Sequence, residues 1–246
     1  MAVRAETGAM TENPGYATEM AVLYRLMNAE VRTWPFPHFH VTDVFPAEVY
    51  RTLVERLPTD EAYTAIRDYG TVGADNSNDR LILSLGEGHP GAPEVWNQVG
   101  EWLLGSRFAN AMLSKFRPFV TRQWGESMAN KRLLKDARLV RDFTNYALPP
   151  HTDMGEKVLA LLFYLPRDDR HAHLGTSAYV PNDPAFRCPG GPHHPREHFT
   201  RIATAPYLPN ALFGFIRTDN AFHGVEPVTD PAARRDLLLY NLYLVD

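Results

Sequence analysis

Cysteine is almost absent from this sequence: Cys188 stands alone among 246 residues, so no internal disulfide can form. It sits in a stretch of Pro, Gly and His without the further cysteines that a structural zinc site needs, and it reads as an incidental loop thiol. Long hydrophobic runs are missing too. Nothing approaches the ~20 apolar residues that span a bilayer, and the opening MAVRAETGAMTENPGY lacks the apolar core of a secretory signal. Nor is there an excess of one charge: a net charge of -4 gives no electrostatic reason to expect a nucleic acid or an anionic membrane as partner. These absences point to a reducing, cytoplasmic setting. No internal repeat is present, and nothing in the sequence speaks to oligomeric state.

What remains is an ordinary globular composition, 44% hydrophobic and 22% charged. At this length a β-rich protein is commonly one domain. Residues 1–16 are polar and small and read as a disordered tail; 17–246 are expected to form one domain, with a mostly helical support region over 17–136 and a β-rich core over 137–246. Met20, Leu23, Leu26 and Met27 recur at three- and four-residue steps and predict a helix from Ala17 to Val31. Pro46 opens a second helix carrying Val49, Leu53 and Leu57. A third begins near Pro93, with Val95, Val99, Trp102 and Leu103 inward and a continuation through Phe108, Met112 and Phe116.

After Ala137 the texture changes to short runs of Val, Leu, Phe and Tyr between turn residues, at 137–146, 158–165, 176–181, 199–207, 210–217, 222–228 and 234–245. Such a series predicts a sandwich or jelly roll, and extended pieces near 37–42 and 79–85 can extend its sheets. The stretch 181–198 has five prolines and no period, and is expected to be a long surface loop.

His151-Thr152-Asp153 follows an extended run. In extended chain, side chains two apart point the same way, so an imidazole and a carboxylate can reach one ion together. The third ligand must come from a distant strand, and His223 in FHGVEPV is the best candidate. Two histidines and one carboxylate on one face of an iron leave three positions open for an oxidant and a co-substrate. The other histidines, His38 with His40, His171 with His173, and His193, His194 and His198, read as solvated or packing residues.

With HTD, FHGVEPV and RRDLLLYNLY in that order, the part from Ala137 to Asp246 resembles the 2-oxoglutarate and Fe(II)-dependent oxygenase superfamily, especially its prolyl 4-hydroxylase-like branch. The resemblance implies a double-stranded β-helix flanked by N-terminal helices, an α+β fold that is mainly β. It implies Fe(II) on His151, Asp153 and His223, with 2-oxoglutarate and dioxygen as co-substrates. Arg234, eleven residues past His223, matches the position whose basic residue pairs with the far carboxylate of 2-oxoglutarate, and Arg235 would then fall on the opposite face. Since the two are adjacent, the register can slip by one. Tyr164 resembles a strand tyrosine that donates to the same carboxylate, or is simply a core aromatic. Asp236 stands where relatives often have a hydroxyl, so it either turns toward one of the arginines or marks a register fault. Arg141 and Arg217 could each contact an anionic substrate, or each be an edge arginine.

The implied activity is hydroxylation of an unactivated C–H bond in a small molecule, an amino acid or natural-product intermediate. Retention of Asp153 argues against the halogenating relatives, which have a small residue there. A prolyl-type protein hydroxylase is the alternative, and a cupin-type metal dioxygenase without 2-oxoglutarate or a non-catalytic jelly roll are the rivals from other classes.

Overall fold

The computed structural model describes residues 14–68, 80–86 and 89–246. Most of the expected tail lies outside them, although its last residues, from Pro14, already belong to the first helix. The helices are α1 (Pro14–Asn28), α2 (Ala47–Glu55), α3 (Glu94–Leu103), α4 (Ser106–Lys115) and α5 (Arg117–Trp124). Helix α1 turns Val22, Leu23 and Leu26 inward, whereas Met27, expected on that stripe, is exposed. The single helix expected from Pro93 onward is three. Gly105, in extended conformation, separates α3 from α4, and Phe116 separates α4 from α5, whose first turn holds Pro118.

The strands are β1 (His38–Val41), β2 (Thr64–Ala65), β3 (Arg80–Ser84), β4 (Arg132–Asp142), β5 (Leu148–His151), β6 (Lys157–Tyr164), β7 (Thr176–Pro181), β8 (Phe199–Ala205), β9 (Ala211–Ile216), β10 (His223–Val225) and β11 (Arg235–Val245). They form two antiparallel sheets: a seven-stranded one in the order β1-β9-β6-β11-β4-β3-β2, and a four-stranded one in the order β5-β10-β7-β8. This is the expected double-stranded β-helix, or jelly roll, flanked by helices. Strand β4 starts five residues before the expected boundary at 137, so the helical region yields to sheet at Arg132.

Alternation along β11 divides the two faces. Leu238, Tyr240 and Leu242 pack outward with Trp96, Leu103, Phe108 and Met112 in the helix-covered core, where Phe108 meets the Tyr240 ring edge-on at 5.0 Å. Leu237 and Leu239 face inward, toward the second core between the sheets. Each large apolar side chain buried this way contributes about 1.5–3 kcal/mol. At Gly214, on β9, a Cβ would lie 2.5 Å from Cε1 of Phe39, its cross-strand partner on β1, so the ring lies against β9 only because no side chain is there. No helix among the described residues is long and apolar enough to cross a membrane.

Candidate metal centre

The open end of the four-stranded sheet brings the three expected ligands together. His151 ends β5 and His223 begins β10, and the two are direct cross-strand partners with ring centroids 4.3 Å apart. Each ring places Nδ1 3.0 Å from the carbonyl oxygen two residues before it, Pro149 and Ala221 respectively. A carbonyl accepts only, so Nδ1–H donates and the lone pair of each Nε2 is left for a metal. Asp153, just beyond β5, accepts a hydrogen bond at Oδ1 from Lys157 Nζ at 2.9 Å. Its Oδ2 is buried with no hydrogen-bond partner, 4.0 Å from His223 Nε2.

One ligand atom from each of the three residues lies within 4.8 Å of the others, and no second such group occurs among the described residues. Burial, and after it the neighbouring His223, pushes His151 down to about 3; burial also lowers His223. Burial alone would raise Asp153, but Lys157 and the two imidazoles outweigh it and hold the carboxyl below its usual range. Two neutral imidazoles and one ionised carboxylate are the protonation states that metal ligation needs. The unpartnered Oδ2 is the observation that fits an ion here, since a buried carboxylate oxygen without a donor is costly unless something positive meets it.

Behind these ligands lies a cavity of about 200 Å³ with Leu162, Val225, Leu237 and Leu239 in its walls and two guanidinium groups, Arg80 and Arg235, at its border. Arg235 is 1% exposed. Its Nε donates to Leu174 O at 2.6 Å and its Nη1 to Asp142 Oδ2 at 2.6 Å, while Nη2 is buried with no partner. Asp142 is itself fully buried and takes two more hydrogen bonds from Arg80, at 2.6 and 3.0 Å. Two cations against one carboxylate leave this end of the cavity positive.

The arginine register expected from sequence is therefore corrected by one residue. Strand β11 begins at Arg235, and residues 235, 237, 239 and 241 face the cavity. Arg234 lies outside it, half exposed, with Nη2 bonded to both oxygens of Asp60 at 2.5 and 2.7 Å. Asp236 falls on the outer face, where it accepts from Arg141 Nε at 2.6 Å. Arg141 also bonds Asp60 and Pro58 O on that face, so the structure does not bring it to the cavity. Tyr164 is fully buried behind Arg235, its ring 6.0 Å from the guanidinium, and its hydroxyl donates to Thr176 Oγ1 at 3.0 Å. It is Thr176 that reaches the cavity wall.

Arg217 is buried at the end of β9 and serves the ligand segment: Nε donates to Asp153 O at 3.3 Å, Nη1 pairs with Asp219 at 2.8 Å, and Nη2 bonds Pro189 O. The 181–198 stretch is partly a strap over that segment rather than free surface. Thr152 Oγ1 donates to Cys188 O at 3.0 Å, and His194 N to Pro150 O at 2.8 Å. Cys188 is buried beside Tyr179, Phe199 and Phe222, which makes it a packing residue. His193 on the same strap sits with its ring 5.0 Å from His151. Sequence reasoning missed Lys157, Arg80, Asp142 and Thr176, since each reaches the site by pairing across strands or by a turn that no local pattern marks.

No family model and no curated protein matches the sequence. Among solved structures, a prolyl-4-hydroxylase from Pseudomonas putida superposes with a TM-score of 0.51 at 13% identity, covering 92% of this chain and 98% of that one. A prolyl hydroxylase from Trichoplax adhaerens, in complex with a hypoxia inducible factor peptide fragment, gives 0.47 at 11% identity over 92% and 88%. An oxidoreductase of the 2OG-Fe(II) oxygenase family from Burkholderia pseudomallei gives 0.46 at 13% over 94% and 91%. At such identities the likeness is one of architecture, and this chain has the fold of the Pseudomonas prolyl-4-hydroxylase, with two histidines and one aspartate gathered at the mouth of its β-helix.

Proposed function

We propose that this protein is an Fe(II)- and 2-oxoglutarate-dependent oxygenase that hydroxylates an unactivated C–H bond of a small molecule. One observation carries the reading: a single cavity is bordered by an unpartnered carboxylate oxygen, Asp153 Oδ2, among histidine ligands and by an unpartnered guanidinium nitrogen, Arg235 Nη2. An acceptor seeking a cation and a donor seeking an anion are what a metal and a dicarboxylate would complete.

In this reading His151, Asp153 and His223 hold the iron, and Arg235 Nη2 donates to the far carboxylate of 2-oxoglutarate. Leu174 O and Asp142, the latter held in turn by Arg80, fix the guanidinium and leave Nη2 for the anion, and a cation aimed in advance costs little ordering when the anion arrives. Leu162, Val225, Leu237 and Leu239 keep the space between them poor in water, which strengthens both attractions. Iron with 2-oxoglutarate and dioxygen supplies oxidative decarboxylation to succinate and carbon dioxide, and with it the oxidising power to break a C–H bond. Arg217 and the strap hold the Asp153 segment against displacement. The substrate class put forward is an amino acid or natural-product intermediate.

The test is anaerobic addition of Fe(II) and 2-oxoglutarate to the purified protein. A weak visible charge-transfer band is expected only with both present, and not in His223→Ala. Metal binding without the band would favour a dioxygenase that does not use 2-oxoglutarate, and absence of metal binding would leave the fold without this activity. Succinate release against panels of amino acids and of proline-containing peptides then separates small-molecule from protein hydroxylation.

A further inference from the structure

Lys157 takes one oxygen of the proposed metal-binding carboxylate. Its side chain is 17% exposed and that of Asp153 11%, and its Nζ stands 2.9 Å from Oδ1 while Oδ2 has no partner. The two residues are four apart across the turn that joins β5 to β6, so the contact is built into the chain connection. A carboxylate beside a metal can offer one oxygen or both. Here the second oxygen can be given to the ion only by surrendering a charge-assisted hydrogen bond in a shielded site and by drawing a dication toward an ammonium.

We infer that Lys157 is a positioning residue that restricts Asp153 to one-oxygen coordination, keeping a coordination position open for the co-substrate at some cost in metal affinity. The inference rests on the proposed ligand set. Six positions around a bound iron, less two imidazoles and one carboxylate oxygen, would leave three for co-substrates, of which a chelating keto acid would need two. A carboxylate bound through both oxygens leaves two, and the keto acid then competes with the protein's own ligand. Lys157 thus trades tightness of metal binding for room, which is the opposite of what a residue that merely steadies a ligand would do.

The sign of the metal effect makes the test. Mn(II) binding, followed by loss of the free-ion electron paramagnetic resonance signal, is measured for wild type, Lys157→Met and Lys157→Arg, and then 2-oxoglutarate binding to each Mn(II)-loaded protein. Lys157→Met is expected to bind Mn(II) several-fold more tightly, the opposite of the loss that follows when an ordinary supporting partner of a metal ligand is removed, and 2-oxoglutarate at least several-fold more weakly. Lys157→Arg, which keeps the cation, should stay near wild type in both. Weaker Mn(II) binding by Lys157→Met, or unchanged 2-oxoglutarate binding, would overturn the inference while leaving the proposed function intact. A wild-type protein that binds no Mn(II) would remove the proposed function and this inference together. Should Lys157→Met not fold, judged by circular dichroism, Lys157→Gln is read by the same two signs.

Discussion

Exchanging the two adjacent arginines one at a time gives the sharpest check on the site. Arg235→Gln removes a buried, unpartnered guanidinium nitrogen at the cavity, and a hydrogen bond to a charged group contributes about 1.5–3 kcal/mol. At 1.4 kcal/mol per tenfold, the 2-oxoglutarate dissociation constant should rise roughly 10- to 100-fold. The fold should persist, because Asp142 keeps both hydrogen bonds from Arg80. Arg234→Gln breaks an ion pair whose side chains are 49% and 45% exposed, worth at most about 1 kcal/mol of stability, and should move the co-substrate constant by less than about twofold. The assay is an anaerobic titration of 2-oxoglutarate into the Fe(II) protein, followed by the visible band, with a thermal melt of each variant alongside. Equal effects, or a larger one at Arg234, would refute the assignment of residue 235 to the cavity.

Chelation should show as lost stability: with the ion at about 100 times its dissociation constant, binding contributes ~2.7 kcal/mol, so adding a chelator should lower the melting temperature by about 5–10 °C. His223→Ala should show no such response. Gly190 has φ +117°, and a Cβ there would lie 2.5 Å from Asp153 O. Gly190→Ala should therefore cost at least ~1–2 kcal/mol and also weaken Mn(II) binding, since it pushes the strap against a ligand's own backbone; unchanged metal affinity would count against the strap's role. Gly214→Ala meets Phe39 Cε1 at 2.5 Å and Leu161 Cδ2 at 2.7 Å on the far side of the sheet from the site. It should lower the urea midpoint by the equivalent of about 1–3 kcal/mol and leave metal affinity as it is.

The jelly roll was legible because its strands are short, apolar and separated by turn residues, and period-two patterning survives in a single sequence. His151 and Asp153 were legible from their spacing in extended chain, and His223 from its place before the final strand. What local pattern did not carry was parity. The turn at 230–233 does not mark whether β11 starts on its inner or outer face, so Arg234 and Arg235 exchange roles with a shift of one residue. Nor could it carry lateral partnership. Asp142 meets Arg80 across 62 residues and Arg235 across 93, and only strand order makes β3, β4 and β11 neighbours. The helical break at Gly105 was readable in principle, since a glycine followed by serine in a long apolar period is a capping signal.

Strand order also bears on how the protein assembles. Strand β11 is the last in sequence yet lies inside the seven-stranded sheet, paired along one edge with β4 and along the other with β6. Until residues 235–245 are in place, β1, β9 and β6 form one ribbon and β4, β3 and β2 another, each with an open edge where β11 will lie. Completing the sheet therefore requires insertion of β11 beside β4, about a hundred residues away in sequence, and loop closures of that length are slow steps in folding. The same insertion delivers Arg235 to Asp142, so closure of the sheet and completion of the positive end of the cavity are one event. Amides of β4 and β6 that bond to β11 should therefore gain hydrogen-exchange protection together during refolding, and protection of one strand well before the other would show that the two pairings close separately.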